Sequence, residues 1–301
     1  MTTRKGIILA GGNATRLHPA TLPFGKPFLP VADKPMIFYP LTVLLQSGIK
    51  DILVITAPRD KALFHALLGD GSQFGATISY IEQPIARGIA DAFIVGESFI
   101  AGDPVCLILC DNLFHGEGLS DAIEAGWKNA ATGATIFCQY VNNPAAYGVV
   151  DFDESGQVTR LVEKPASFVS NWAATGLYIY DGRASALAKT LPLSKRGELE
   201  ITDLNSLYLQ QGALHSIKFH KDFLWLDLGT YSSILEASNL IVNKESRDNI
   251  RIGCPYIAAY RAGYINSKDL LAIADSLGNP YYAESLRNAV LASVAVKKPS
   301  A

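Results

Sequence analysis

The strongest constraint on this chain is a repeated pairing of short apolar runs with longer amphipathic ones. Residues 6 to 10 (GIILA), 52 to 56 (ILVIT), 78 to 82 and 105 to 110 (VCLILC) read as strands. Their largely continuous apolar character suits strands covered on both faces, as in a parallel sheet flanked by helices. Between them, 35 to 47 and 60 to 68 read as helices, the first closed by a C-cap glycine at Gly48. A second set of strands is expected at 134 to 140, 147 to 152, 158 to 163 and 174 to 180. From about residue 231 the pattern turns helical and poor in strands, including 231 to 243 and 267 to 277. No repeat or linker interrupts it, so one α/β domain with a helical C-terminal appendage is expected.

Composition narrows the function. The 301 residues carry 26 basic and 28 acidic side chains, a net charge of −2 that argues against a broad nucleic-acid footprint. A local cation cluster on a small phosphate-bearing molecule remains compatible with that balance. Charged residues make up 18% of the chain, which argues against disorder and leaves surface for contact with another subunit. No apolar run reaches the length of a membrane span, and the N-terminal stretch is too short for a signal sequence. Cys106, Cys110, Cys138 and Cys254 are scattered through apolar contexts without metal or disulfide spacing. They are read as buried free thiols of a cytoplasmic protein.

The first strand runs directly into GGNATRLHPATLPFGKPFLP. Gly11 and Gly12 let backbone N–H groups approach an anion. Arg16 offers a planar fork to phosphate oxygens, and Lys26 adds a compact second cation. The spacing is neither that of a Walker loop nor that of a dinucleotide fingerprint. Asp111 follows the strand VCLILC, and Asp227 follows FLWL before a Gly-Thr turn. Aspartates in such places are commonly helix caps or turn formers. Hard carboxylate oxygens are also what Mg²⁺ takes alongside phosphate and water.

LAGGNATRLHP followed by GKPFLPVADKPMI resembles the signature of the sugar-phosphate nucleotidyltransferases. Within that family the chain is most similar to the glucose-1-phosphate thymidylyltransferases. The likeness continues through LLGDGSQFG, EQP, CDN, YGVVDFD, EKP, TGLYIYD, GELEITDLN, WLDLGT and AYRAGYI. It implies a Rossmann-like, three-layer fold with a mixed, mostly parallel sheet. Residues 1–230 would form the catalytic domain, with a nucleotide part to about 115 and a sugar part from about 116. Residues 231–301 would be a helical oligomerisation region packed on the same domain.

The resemblance also implies a reaction. A sugar 1-phosphate attacks the α-phosphate of a nucleoside triphosphate, most simply glucose 1-phosphate on dTTP, and pyrophosphate leaves. Arg16, Lys26, Asp111, Lys164 and Asp227 match the catalytic positions, with Asp111 and Asp227 as ligands of Mg²⁺. Leu9, Gly11, Gly12, Thr15, Gln83 and Gly88 match the nucleotide side. Asn112, Tyr147, Gly148, Glu163, Lys164 and Thr202 match the sugar side. A homotetramer with small-molecule substrates, and neither nucleic acid nor membrane as partner, is the matching expectation. The alternatives are a UTP- or CTP-using relative with another sugar, or a non-catalytic sugar-nucleotide-binding paralogue.

Several positions depart from the family pattern. Ala14 replaces a loop glycine, Pro27 replaces a glutamine, Asp91 stands where a glutamine is expected, and His115 replaces a tyrosine. Altered nucleotide preference is the expectation, with UTP competing against dTTP. In similar enzymes, glutamates after a Cys-Pro pair serve a feedback site. Here Tyr256 and Ile257 follow Cys254-Pro255, so weak or absent feedback is expected. The tyrosines at 256, 260, 264, 281 and 282 read as core or subunit interface.

Overall fold

The computed structural model describes residues 4–12 and 14–296. Its main sheet has nine strands. β1 (Lys5–Ala10) lies at the centre of the parallel half. Two short strands, β2 (Pro30–Val31) and β3 (Lys34–Pro35), form a separate hairpin. The parallel half is completed by β4 (Asp51–Thr56), β5 (Thr77–Glu82) and β6 (Val105–Leu109), in the order β6-β1-β4-β5. β7 (Asn112–His115) leaves the sheet immediately after β6.

The other half is mixed. It comprises β8 (Ala134–Tyr140), β9 (Gly148–Phe152), β10 (Val158–Glu163), β11 (Trp172–Tyr180) and β12 (Leu214–Lys218). β11 runs antiparallel to β6 through Leu177–Tyr180 and antiparallel to β9 through Ala173, while β8 follows its other edge. A register irregularity between Ala174 and Tyr178 lets one long strand serve both neighbours. β13 (Leu224–Asp227) pairs with β7 as a two-stranded antiparallel ribbon.

Strand parity divides the core. Ile8, Ile52, Val54, Cys106 and Ile108 enter one apolar cluster, whereas Ile7, Leu53, Ile55, Val105 and Leu107 enter another. Each face therefore needs its own helical cover, which makes three layers. α1 (Phe38–Gln46) and α2 (Lys61–Leu68) cover the first face, and Gly6 lets α1 come close. A Cβ on Gly6 would lie 2.9 Å from a methyl of Leu44. α3 (Asp91–Val95) and α4 (Glu97–Ile100) cover the second face. α5 (Leu119–Asn129) returns to the first, and α6 (Ala184–Ala188) and α7 (Ile201–Gln210) to the second.

The last helices are α8 (Tyr231–Asp248), α9 (Pro255–Arg261), α10 (Ser267–Ser276) and α11 (Pro280–Val296). Ile257, Leu270 and Leu286 join the same cluster as the first sheet face. A buried ionic knot anchors α8. Glu245 accepts from Arg251 at 2.7 Å, from Lys34 at 3.3 Å and from the Ile252 N–H at 2.8 Å. Tyr256 is buried against Phe38 and Phe74, Tyr282 is buried as well, and Tyr281 is exposed.

The expected mixed, mostly parallel sheet and the helical end are both present. The helix expected from residue 35 begins at Phe38, because Lys34 and Pro35 pair with β2. The β7–β13 ribbon and helices α5 and α7 were not foreseen. All four cysteines are free and buried, and among the described residues no helix is long and apolar enough to cross a membrane.

Candidate active site

The carboxyl ends of β1, β5 and β6 lie along one edge of the sheet, where open α/β sheets gather ligands. Gly11 and Gly12 follow β1, Gln83 follows β5, and Asp111 follows β6. Between them opens a cleft of about 420 Å³. Its walls include Leu9, Gly12, Thr15, Arg16, Lys26, Gln83, Gly88 and Asp111. Gly11 packs against Gln83 just behind this wall, where a Cβ would meet Gln83 Oε1 at 2.5 Å. The residues expected on the nucleotide side thus come together, although 79 positions separate Leu9 from Gly88.

Local structure explains several of these placements. Gly88 has a φ of +104°, and a Cβ there would lie 2.4 Å from the Leu199 carbonyl. The Leu199 N–H donates to the Arg87 carbonyl at 2.7 Å, so loop 83–90 and the segment before α7 are laced together. Ala14 adopts φ 48° and ψ 37°, the left-handed region that favours glycine. Its carbonyl accepts from Leu17 N–H at 2.9 Å and from Thr21 Oγ1 at 3.1 Å. Asp60 is buried, and its Oδ1 accepts the Gly25 N–H at 2.9 Å. It thereby sets the segment from which Lys26 projects.

Lys26 reaches Asp111 in a direct ion pair, and Asn112 Nδ2 donates to Asp111 Oδ1 at 3.0 Å. Burial opposes the charge on Asp111, but Lys26 and these hydrogen bonds outweigh it and lower its pKa. Burial likewise opposes the Lys26 charge, and Asp111 prevails and raises it. Asp227 arrives from β13, opposite Asn112 in the ribbon. Burial and the Asp111 carboxylate push its carboxyl up to about 6, against the pull of Lys26, Arg16 and Lys164. Cys110 also lines the cleft, and burial pushes its thiol up to about 12, so it stays protonated.

Two half-buried carboxylates therefore face the charge of Lys26, which pairs directly with Asp111, and the surplus negative charge appears as the raised Asp227. That donor set fits a hard divalent cation, which neutralises such a surplus and accepts carboxylate oxygens. Among the described residues no group of three or more His, Cys, Asp or Glu side chains forms a fuller cage.

The residues expected on the sugar side form a second constellation. Glu163 ends β10, and its Oε2 accepts from Thr202 Oγ1 at 2.5 Å. Its Oε1 lies 3.3 Å from Arg196 Nη1 and 3.7 Å from Lys164 Nζ. A Cβ on Gly148 would crowd Thr202 at 2.9 Å and Glu163 at 3.2 Å. Lys164 has a φ of 40°, and its N–H donates to the Tyr147 carbonyl at 3.0 Å. Such a backbone is strained for a non-glycine residue, a feature that concentrates at functional sites. Asn112 is a pillar rather than an open contact. Its Oδ1 accepts from Trp225 Nε1 at 2.6 Å and from the Gly176 N–H at 3.0 Å.

Sequence reasoning missed Trp225, Arg196 and Asp60, and did not single out Glu198, which lines the cleft, within the motif GELEITDLN. Trp225 was within reach: it precedes Asp227 by two residues in a strand and so shares its face. Its ring lies 5.1 Å from that of Tyr147. Arg196 and Glu198 lie outside any helix or strand, where no periodicity marks them.

Comparison with known proteins gives a consistent result. Residues 5–244 match the family model described as nucleotidyl transferase. The glucose-1-phosphate thymidylyltransferase of Xanthomonas campestris is 48% identical over 95% of this chain and 97% of its own length. That of Neisseria meningitidis is 48% identical over 94% of this chain and 98% of its own. Among solved structures, a candidate glucose-1-phosphate thymidylyltransferase from Bacillus anthracis, complexed with sucrose, superposes with a TM-score of 0.75. It is 36% identical, with 84% of this chain and 99% of that chain covered.

Proposed function

The chain belongs to the nucleotidyl transferase family, and from that premise we propose that it makes dTDP-glucose and pyrophosphate from dTTP and glucose 1-phosphate. The observation that carries this reading is the Lys26–Asp111 pair with the surplus carboxylate of Asp227, set at the edge of a cleft that also holds Gln83.

The nucleophile is a phosphate oxygen of the sugar 1-phosphate, already an anion, so no general base is needed. It forms a new bond to the α-phosphorus as the α–β bridging P–O bond breaks, and pyrophosphate carries away the electron pair. The protein's task is alignment and charge neutralisation. Arg16, Lys26 and the backbone N–H groups of Gly11 and Gly12 would hold the triphosphate, with Thr15 and Leu9 at its flank. Gln83 and Gly88 would meet the base. Lys164 would grip the sugar phosphate while Glu163, held by Thr202 and Arg196, accepts from sugar hydroxyls. Tyr147 and Gly148 would complete that side, with Asn112 behind them holding Trp225 and the Gly176 backbone. Asp111 and Asp227 would hold Mg²⁺, which when bound supplies Lewis-acid stabilisation of the phosphate charge.

Residues 1–230 would carry this chemistry, and 231–301 would serve subunit contacts. Leu235 and Val242 stand exposed two turns apart on one stripe of α8, and Tyr281 and Leu291 are exposed on α11. Such apolar faces support burial against copies of the same chain in a homotetramer. Buried free thiols suit a reducing compartment such as the cytoplasm.

The test is a pyrophosphate-release panel of dTTP, UTP, dCTP and ATP against several sugar 1-phosphates, with Mg²⁺ and with chelator. Metal-dependent release that is highest with dTTP and glucose 1-phosphate is expected. No release from any pair would leave the non-catalytic paralogue as the better reading.

A further inference from the structure

Gln83 and Asp91 are nearly sealed from solvent, at 4% and 1% exposure. Gln83 Nε2 donates to Asp91 Oδ2 at 2.8 Å, and Arg87 Nη2 donates to Asp91 Oδ1 at 2.8 Å. On its other side, Gln83 lines the cleft, and a Cβ added to Gly11, just behind that wall, would meet its Oε1 at 2.5 Å. The two ends of a carboxamide are nearly isosteric, so an unconstrained glutamine can turn over and present either a donor or an acceptor. Asp91 removes that choice. An ionised carboxylate only accepts, and the pairing with Arg87 calls for the ionised form. The NH₂ group of Gln83 must therefore face Asp91, and Oε1 is turned away from it toward Gly11.

We propose that Asp91 is a positioning residue that locks Gln83 in one amide orientation, so that the cleft accepts bases with an N3–H donor and rejects cytosine. This rests on the nucleotidyl-transfer reading above and concerns the same cleft. Thymine and uracil carry an N3–H between two carbonyls, a donor for Gln83 Oε1. Cytosine carries a bare N3 acceptor, which would face Oε1 lone pair to lone pair. A free glutamine would escape by flipping. Here the flip would turn Oε1 onto the Asp91 carboxylate, leaving two buried acceptors opposed. Rejection by a buried group left unpaired is stronger than selection by one extra hydrogen bond. Arg87 sits outside this pair, half exposed, and keeps the buried carboxylate from being an unpaired charge.

The experiment compares dTTP with dCTP, which differ only in the base, using glucose 1-phosphate as the common partner. Asp91→Asn is nearly isosteric, but its amide can donate or accept and so frees Gln83 to turn. The ratio of kcat/KM for dTTP over dCTP is expected to fall at least fivefold, with the change carried mainly by KM for dCTP. A looser loop alone would weaken both nucleotides together and leave the ratio in place. A change smaller than fivefold overturns the lock. Thermal unfolding is followed alongside, and if Asp91→Asn does not fold, Asp91→Ser, whose hydroxyl can also donate or accept, decides by the same ratio. Wild-type turnover with an unmoved ratio in the variant defeats only the lock. Absence of pyrophosphate release by the wild type with every nucleotide defeats the nucleotidyl-transfer reading and the lock with it.

Discussion

Asp227 stands opposite Asn112 in the β7–β13 ribbon, and the Leu228 N–H donates to the Asp111 carbonyl at 2.9 Å. One register thus brings the second carboxylate beside the first across more than a hundred residues of sequence. The surplus of negative charge beside Lys26 depends on that meeting.

Removing either member of the central ion pair should abolish most catalysis. Lys26→Ala or Asp111→Asn is expected to lower kcat/KM at least a hundredfold, about 2.7 kcal/mol of transition-state stabilisation. Circular dichroism should show that each variant is folded. Near-normal turnover in a folded variant would remove both residues from the mechanism.

Asp227 should cost the metal-free protein stability at neutral pH. Its carboxyl is raised to about 6 in the folded chain, so the fold favours the protonated form. The favourable contribution is fully present below the unfolded value near 4 and disappears as pH rises through about 6. Asp227→Asn should therefore melt higher than the wild type at pH 7.5 in chelator, by about 1–3 kcal/mol of stability. The advantage should shrink as pH falls toward 4. An advantage that stays constant with pH would contradict the assigned shift.

Ala14→Gly should stabilise the loop. A left-handed alanine costs roughly 1–2 kcal/mol, partly offset by the greater freedom of glycine in the unfolded chain. A net gain of about 0.5–1 kcal/mol is expected, visible as a melting temperature higher by about 1–3 °C. A lower melting temperature would mean that the Ala14 conformation carries no strain.

Gly88→Ala should do the opposite. The new Cβ would meet Leu199 backbone at 2.4 Å, and backbone cannot move aside as a side chain can. We expect KM for the nucleotide to rise at least tenfold, with a lower melting temperature. Unchanged nucleotide affinity would detach loop 83–90 from base recognition.

Pro27 lines the cleft with neither donor nor acceptor on its side chain. One neutral hydrogen bond is worth about 0.5–1.5 kcal/mol, so discrimination between dTTP and UTP should be weaker by up to about tenfold. Pro27→Gln should raise the dTTP/UTP ratio of kcat/KM. A ratio that does not respond would place sugar discrimination elsewhere in the cleft.

Much of the scaffold was legible from local pattern. The runs around Ile8, Val54 and Ile108 announce strands because a strand covered on both faces needs apolar residues on both parities. Gly11, Gly12 and Asp111 could be placed at strand ends because the apolar runs stop just before them. Lys164 and Glu163 were recognisable only through the family resemblance, since nothing in E-K-P by itself separates a functional lysine from a solvated turn. Arg196 escaped altogether: it lies on an irregular segment, and its contacts with Glu163 and Glu198 depend on where that segment folds.

The same division holds for the molecule as a whole. By itself, the sequence determined the alternation of strands and helices, the helical C-terminal end, the phosphate-suited loop and the family. These are encoded by side-chain periodicity and by residue types whose backbone or charge properties act locally. Tertiary structure alone decided that β11 divides between β6 and β9, by which ribbon register Asp227 reaches Asp111, and that Asp91 holds Gln83. Each of those depends on long-range register and on burial, which change what a charge or an amide is able to do. No residue carries that information until its neighbours have been packed around it.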